Sequence, residues 1–176
     1  MQTFAATDAD AYKNLARAWA ATVTVVTARR AATAAPDPDA PPFDGFTATA
    51  FLTVSIAPPI VLVSATNASS ALAVVRDGDA LAVNLLRVDG KDLAGAFARP
   101  RPERAKAWGA LGWHADAFGA PLLDGALGAF SATLRQLVDA GDHTLALLDV
   151  TAIHKGDDFD SLVYHNRAYG RVTALP

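Results

Sequence analysis

From Phe46 to Val75 the chain carries no charged side chain, and Pro58-Pro59 splits that stretch near its middle. A membrane helix needs about twenty consecutive, dominantly apolar residues, and two adjacent prolines forbid one here. A plain core segment would be nearly all aliphatic, and a solvated loop would contain Lys, Glu or Asp. This stretch has instead Thr47, Thr49, Thr53, Ser55, Ser64, Thr66, Asn67, Ser69 and Ser70 among its apolar residues. It therefore folds as strands on either side of the proline pair, with small neutral donors and acceptors beside apolar surface. Such a surface suits a ligand that is partly flat and apolar and partly amide or phosphate. It does not suit a free metal ion or a nucleic-acid backbone.

The 176 residues are expected to form one domain, 1–176, with enough chain for a sizeable core. A net charge of -3, with acidic and basic residues mixed along the chain, argues against a nucleic-acid binder. The absence of cysteine excludes disulfides, thiolate metal sites and cysteine nucleophiles. The four histidines are not spaced as a metal motif, so no metal is expected. MQTFAATDADAYKN lacks the basic start and apolar core of a signal peptide. A cytoplasmic protein without a membrane span is the expectation.

Thr7, Asp8 and Asp10 mark a helix start, after which Tyr12, Leu15, Ala16 and Trp19 share one face. The β-branched run Thr22 to Ala28 reads as a strand. Residues 31–42 read as an exposed proline-rich insertion. Phe46 to Ser55 reads as the next strand, ended by Pro58-Pro59, and Ile60 to Ser64 as a short buried one. Ala68 to Arg76 predicts a short helix, LAVNLL a strand, and Asp89 to Ala98 a helix. RPRPERAKAW reads as a basic, proline-broken loop with at most a short helix. Phe130, Ala132 and Leu134 alternate as a half-buried strand. HTLALLDVTAI is the longest strand candidate, and Leu162 to His165 a last short one. Strands that do not alternate regularly with helices point to a closed or split antiparallel barrel rather than a doubly wound sheet.

No G-x-G-x-x-G, Walker loop, G-x-S-x-G or H-E-x-x-H occurs. The ordered succession VTVVTA, DGFTATAFLTVSIAPPIVLVSATNASSALAVV, LAVNLL, DAGDHTLALLDV and LVYHNRAYG resembles the flavin reductase-like family. The resemblance spans about residues 10–171. It implies a mainly β fold, an antiparallel split β-barrel of the Greek-key, FMN-binding type with a few peripheral helices. It also implies a homodimer that takes FMN or FAD, accepts hydride from NADH or NADPH, and supplies reduced flavin to a flavin-dependent monooxygenase component. No 2′-phosphate clamp is visible, which favours NADH. A non-catalytic flavin- or haem-binding module and a flavin oxidase on the same barrel are the competing readings.

On the resemblance, Thr47, Ala48, Thr49 and Ala50 line the isoalloxazine ring, with Ser55 beyond them. Asn67, Ser69 and Ser70 approach the ribityl chain and phosphate, where backbone N–H groups and hydroxyls can bind an anion. Each also has a plainer reading: threonines are enriched on strands for steric reasons, and Asn67 to Ser70 would serve as a helix cap. In Gly141-Asp142-His143, glycine permits a turn, Asp142 can orient the imidazole, and His143 becomes an auxiliary catalytic residue on the nicotinamide side. Asn84 is either a flavin contact or a buried, paired amide. Tyr169 borders the flavin or a dimer partner. Phe97 is read as core, and Arg99, Arg101, Arg104 and Lys106 as a solvated face that could also meet a cofactor phosphate.

Overall fold

The computed structural model describes residues 1–32, 42–68, 70–157 and 159–174. Most of the proline-rich insertion, and Ser69, lie outside the described residues. Helix α1 (Ala9–Ala16) starts where the acidic cluster predicts: the Asp8 carboxylate accepts from the Asp10 and Ala11 N–H groups at 3.1 and 2.9 Å. Strands β1 (Ala21–Thr22) and β2 (Thr24–Arg30) follow.

The expected single strand from Phe46 to Ser55 is two, β3 (Phe43–Ala48) and β4 (Phe51–Ile56), broken at Thr49-Ala50. Strand β5 (Pro59–Thr66) opens on the second proline, at a strand's first position. Then come α2 (Ala71–Asp77), β6 (Gly78–Leu86) and α3 (Lys91–Phe97). RPRPERAKAW is more helical than expected: it forms α4 (Arg101–Trp108), with Pro102 in the first turn, where a missing N–H costs nothing. A small hairpin of β7 (Trp113–Ala115) and β8 (Pro121–Leu123) precedes the long pair β9 (Ala126–Ala140) and β10 (His143–Lys155). β9, at 15 residues, outruns the expected longest strand, β10, at 13. Strands β11 (Leu162–His165) and β12 (Ala168–Arg171) close the chain.

Seven strands form one antiparallel sheet in the order β3-β2-β6-β9-β10-β5-β4. β3 and β4 are at its opposite edges, yet only Thr49 and Ala50 separate them in the chain. Three peptide steps reach at most about 11 Å. The sheet must therefore curl until its two edges meet, which makes it a split barrel with its seam at Thr49-Ala50.

The pleat of β2 explains its burial on both faces. Val26 and Ala28 pack inside the barrel with Phe46, Val63, Leu81, Val83 and Leu148. Val23 and Val25 pack outward with Leu86, Ala94, Phe97, Trp108 and Leu162, under α3 and α4. The outer layer is aromatic: Trp108 meets Phe97 and Trp113 edge-on at 5.3 and 5.2 Å, and Phe43 lies 4.6 Å from Trp113. These contacts fix α3 and α4 beside the seam.

Candidate functional site

A cleft of about 640 Å³ opens at the seam, within the range of small-molecule sites. Thr47, Ala48, Thr49 and Ala50 form one wall, Ser64, Ala65 and Thr66 the floor, and Ser70-Ala71 and Phe97 to Arg101 the far side, with Arg104 and His143 at its margins. Five of these residues are alanines, so the walls stand back and leave room for a flat group. Gly45 contributes at one remove: a Cβ there would lie 2.9 Å from both the Phe97 ring and the Val26 carbonyl, so glycine lets Phe97 reach its place.

The cleft brings together Thr47, Ala48, Thr49, Ala50, Ser70 and His143 from the expected set. Thr47 can only accept at the cleft, because its Oγ1 donates its proton to the Ala94 carbonyl at 2.6 Å and ties β3 to α3. Asn67 does not line the cleft. Its N–H donates to the Asp142 carbonyl, its Nδ2 donates to the Gly141 carbonyl, and its Oδ1 accepts from the Thr144 hydroxyl. The amide thus holds the β9–β10 turn against the end of β5. Ser55, in β4, and Tyr169, in β12, do not line the cleft. Tyr169 packs edge-on against Tyr164 at 5.3 Å, and burial, then Tyr164, raises its phenol pKa.

Asn84 takes the buried-amide reading and is corrected as a ligand contact. It is fully buried; its Nδ2 donates to the Val25 carbonyl and Thr27 hydroxyl, and its Oδ1 accepts from Leu123 N–H at 2.9 Å. It joins β6 to β2 and β8, fully buried and away from the cleft lining.

The larger correction concerns the arginines. Arg104 is buried at 5% side-chain exposure, against Asp44 at 9%. Its Nε and Nη2 donate to the two Asp44 oxygens at 3.1 Å each, and Nη2 also reaches Ser70 Oγ at 2.9 Å. Arg101 Nε donates to Asp44 Oδ2 at 2.9 Å. Asp44 thus holds two guanidiniums, Arg101 and Arg104, at this end of the cleft. Sequence reasoning took RPRPER for a solvated face; the overlooked signal is the lone Asp44 inside the apolar strand FDGF, which must find a cation once buried.

Gly141 turns at φ 76°, the left-handed region glycine favours, and puts His143 at the first position of β10. His143 Nδ1 lies 2.7 Å from Asp142 Oδ1, and this hydrogen bond, with the charge of the imidazole when protonated, lowers the Asp142 pKa. An ionised carboxylate only accepts, so Nδ1 carries a proton, which leaves Nε2 as the acceptor whenever the ring is neutral. The cleft thus has an arginine-lined end, neutral walls and an oriented imidazole at its rim.

The model of the Flavin reductase like domain matches residues 16–173. The chain belongs to the flavin reductase-like family. It is 35% identical over 125 residues to the NADH-dependent FMN reductase RutF of Stutzerimonas stutzeri, covering 71% of each chain. It is 36% identical over 125 residues to the reductase component of the flavin-dependent trigonelline monooxygenase of Acinetobacter baylyi, covering 71% of this chain and 39% of that protein. In three dimensions it matches BorF, the flavin reductase component of a bacterial two-component tryptophan halogenase, at a TM-score of 0.80 and 26% identity, over 96% of this chain and 100% of that one. The split-barrel expectation is met. Among the described residues no helix is long and apolar enough to cross a membrane.

The cleft of this flavin reductase-like chain fits a flavin on its own terms. The isoalloxazine is flat and uncharged apart from its polar edge, which suits walls of alanine, backbone and hydroxyl. The flavin phosphate is an anion, which suits Arg101, Arg104 and Ser70.

Proposed function

We propose that the protein is an NADH-dependent flavin reductase that reduces FMN or FAD and supplies the reduced flavin to a separate flavin-dependent monooxygenase. The observation that carries this reading is the seam cleft, neutral along its walls and lined by the guanidiniums of Arg101 and Arg104 at one end. Bound flavin supplies the hydride acceptor, so no protein acid or base is needed for that step. The chain's own residues bind and orient. Arg101, Arg104 and Ser70 would hold the phosphate, Thr47 to Ala50 would flank the ring, and His143 would position the nicotinamide from the rim. The walls offer no ion pair to the ring system, which suits a flavin that must leave after reduction.

The reading includes a homodimer. Strand β4 is an edge strand with Leu52, Val54 and Ile56 exposed, Ile56 at 94%, and it carries neither lysine nor an internal proline to guard the edge. Unguarded apolar edges of this kind pair with another chain. Light scattering is expected to give twice the chain mass for the wild type and the single mass for Val54→Lys.

The deciding measurement is oxidation of NADH and of NADPH with and without added FMN or FAD. Flavin-dependent turnover, faster with NADH, is expected. No flavin-dependent turnover in any of the four combinations would sink the reading.

A further inference from the structure

The tip of the β9–β10 hairpin carries His143 and has little packing to hold it. Ala140, Gly141, Asp142 and His143 are all exposed, the Asp142 side chain at 93%. A Cβ on Gly141 would meet no atom within 4 Å among the described residues, so glycine serves the positive φ of the turn and no close contact. Strand pairing stops short as well. β10 pairs with β9 from His143 opposite Ala140, and with β5 from His143 opposite Thr66, which leaves Gly141-Asp142 beyond both ladders. Exposed turns with so few contacts open easily, and an imidazole carried there swings unless its turn is held.

Asn67, the first residue after β5, holds it from both sides of His143. Its N–H donates to the Asp142 carbonyl at 3.0 Å, and its Nδ2 donates to the Gly141 carbonyl at 3.1 Å. Its Oδ1 accepts from the Thr144 hydroxyl at 2.7 Å. The amide presents one donor to a carbonyl before His143 and one acceptor to a hydroxyl after it. An aspartate would turn an oxygen toward the Gly141 carbonyl, and an alanine would offer neither group. Asn67 is itself exposed and outside the cleft, so neither ligand contact nor core packing accounts for it. From the held turn the contacts run on to the cleft: the Asp142 carboxylate meets His143 Nδ1 at 2.7 Å, and His143 stands at the cleft margin.

We propose that Asn67 is a positioning residue for hydride transfer: through Gly141, Asp142 and Thr144 it fixes the turn that aims the His143 imidazole at the nicotinamide. The inference rests on the reductase reading and on the place of His143 in it. Because Asn67 lies outside the cleft, its whole effect on the substrate passes through His143.

Two measurements test this, one of them without turnover. Nitrogen-15 NMR of the histidine rings should show neutral His143 as the Nδ1–H tautomer in the wild type, and a mixture with the Nε2–H tautomer in Asn67→Ala. In NADH oxidation with FMN, Asn67→Ala should lower kcat/KM for NADH about threefold to tenfold, the effect of losing one or two hydrogen bonds. FMN affinity and melting temperature should stay nearly unchanged. Thr144→Val should give part of the loss, and Thr144→Ser should restore the wild-type value. In a His143→Ala background the Asn67→Ala change should add less than about twofold, since residues acting through one group are not additive.

An equal loss in both backgrounds, a parallel fall in FMN affinity, or an unchanged ring spectrum in Asn67→Ala would overturn the proposal. Wild-type oxidation matched by Asn67→Ala removes this inference and leaves the reductase reading standing. Absence of wild-type oxidation removes that reading and the hydride-transfer role with it, while the ring spectrum still decides whether Asn67 sets the imidazole.

Discussion

Arg104 combines burial, charge and a place on the cleft in one side chain. Removing one partner of a buried ion pair leaves the other charge desolvated, typically at a cost of about 3–5 kcal/mol. Arg101 still reaches Asp44, so Arg104→Ala is expected at the lower end, about 3 kcal/mol, by urea denaturation. The same variant should bind FMN at least about tenfold more weakly while barely changing affinity for riboflavin, which has no phosphate; a lost charge-assisted hydrogen bond is of that size. Equal weakening of both ligands would place Arg104 outside the phosphate site. His143 gives the complementary case at the other margin. Its Asp142 partner is exposed, so His143→Ala should leave the melting temperature nearly unchanged. NADH-driven flavin reduction should fall about tenfold or more, the lower range for losing a positioned group, with FMN affinity intact. Loss of FMN binding in step with turnover would make His143 part of the flavin cradle instead.

Besides Asn84 and Thr27, which bond to β8, a carboxylate ties the β7–β8 hairpin to the barrel. Asp116, in its turn, accepts from Phe118 and Ala120 N–H groups and from the buried Ser131 hydroxyl of β9, with His154 Nε2 of β10 at 3.4 Å. Burial alone would raise the Asp116 pKa, but the Ser131, Ala120 and Phe118 hydrogen bonds and the charge of His154 together hold it below the ordinary 3.8. A carboxylate depressed in the folded state contributes stability that is present above its unfolded pKa and lost as pH falls through the folded one. Ser131→Ala should therefore cost about 1.5–3 kcal/mol near neutral pH. That difference should shrink as the pH is lowered below 3.8. A pH-independent difference would mean that the hydroxyl acts through packing alone. None of this latch was legible in the sequence, because Asp116, Ser131 and His154 come from three segments with no shared pattern. Elements with strong local chemistry were legible: the Asp8 cap, the β-branched β2 and the proline break before β5. The Thr49-Ala50 break was not, since the uncharged run stays strand-like through it and only the pairing at opposite sheet edges reveals the turn. Arg101 and Arg104 were misplaced for a related reason, as charge in a sequence reads as solvent until its buried partner is known.

At the scale of the whole molecule the seam links fold to binding. The two edges of the sheet meet there through two residues, and α2, α3, α4 and the β9–β10 turn all converge on the same cleft. Interior strands such as β6 and β9 are paired on both sides, whereas β4 is paired on one, so opening should begin at the seam. A ligand that contacts Thr47 to Ala50, Ser64 to Thr66 and Arg104 together bridges the parts that would separate first. Binding to the folded chain alone, at about 100 times its Kd, adds about 2.7 kcal/mol of stability. In a domain of this length that corresponds to a rise in melting temperature of about 5–10 °C. FMN should produce that rise by calorimetry, and hydrogen exchange should slow most at the start of β4, at the end of β5 and around Ser70, with little change in β6 and β9. Arg104→Ala, binding about tenfold more weakly, should lower the rise to about half at the same FMN concentration. Protection spread evenly over the sheet, or confined to the β7–β8 hairpin, would show that the flavin binds elsewhere than at the seam.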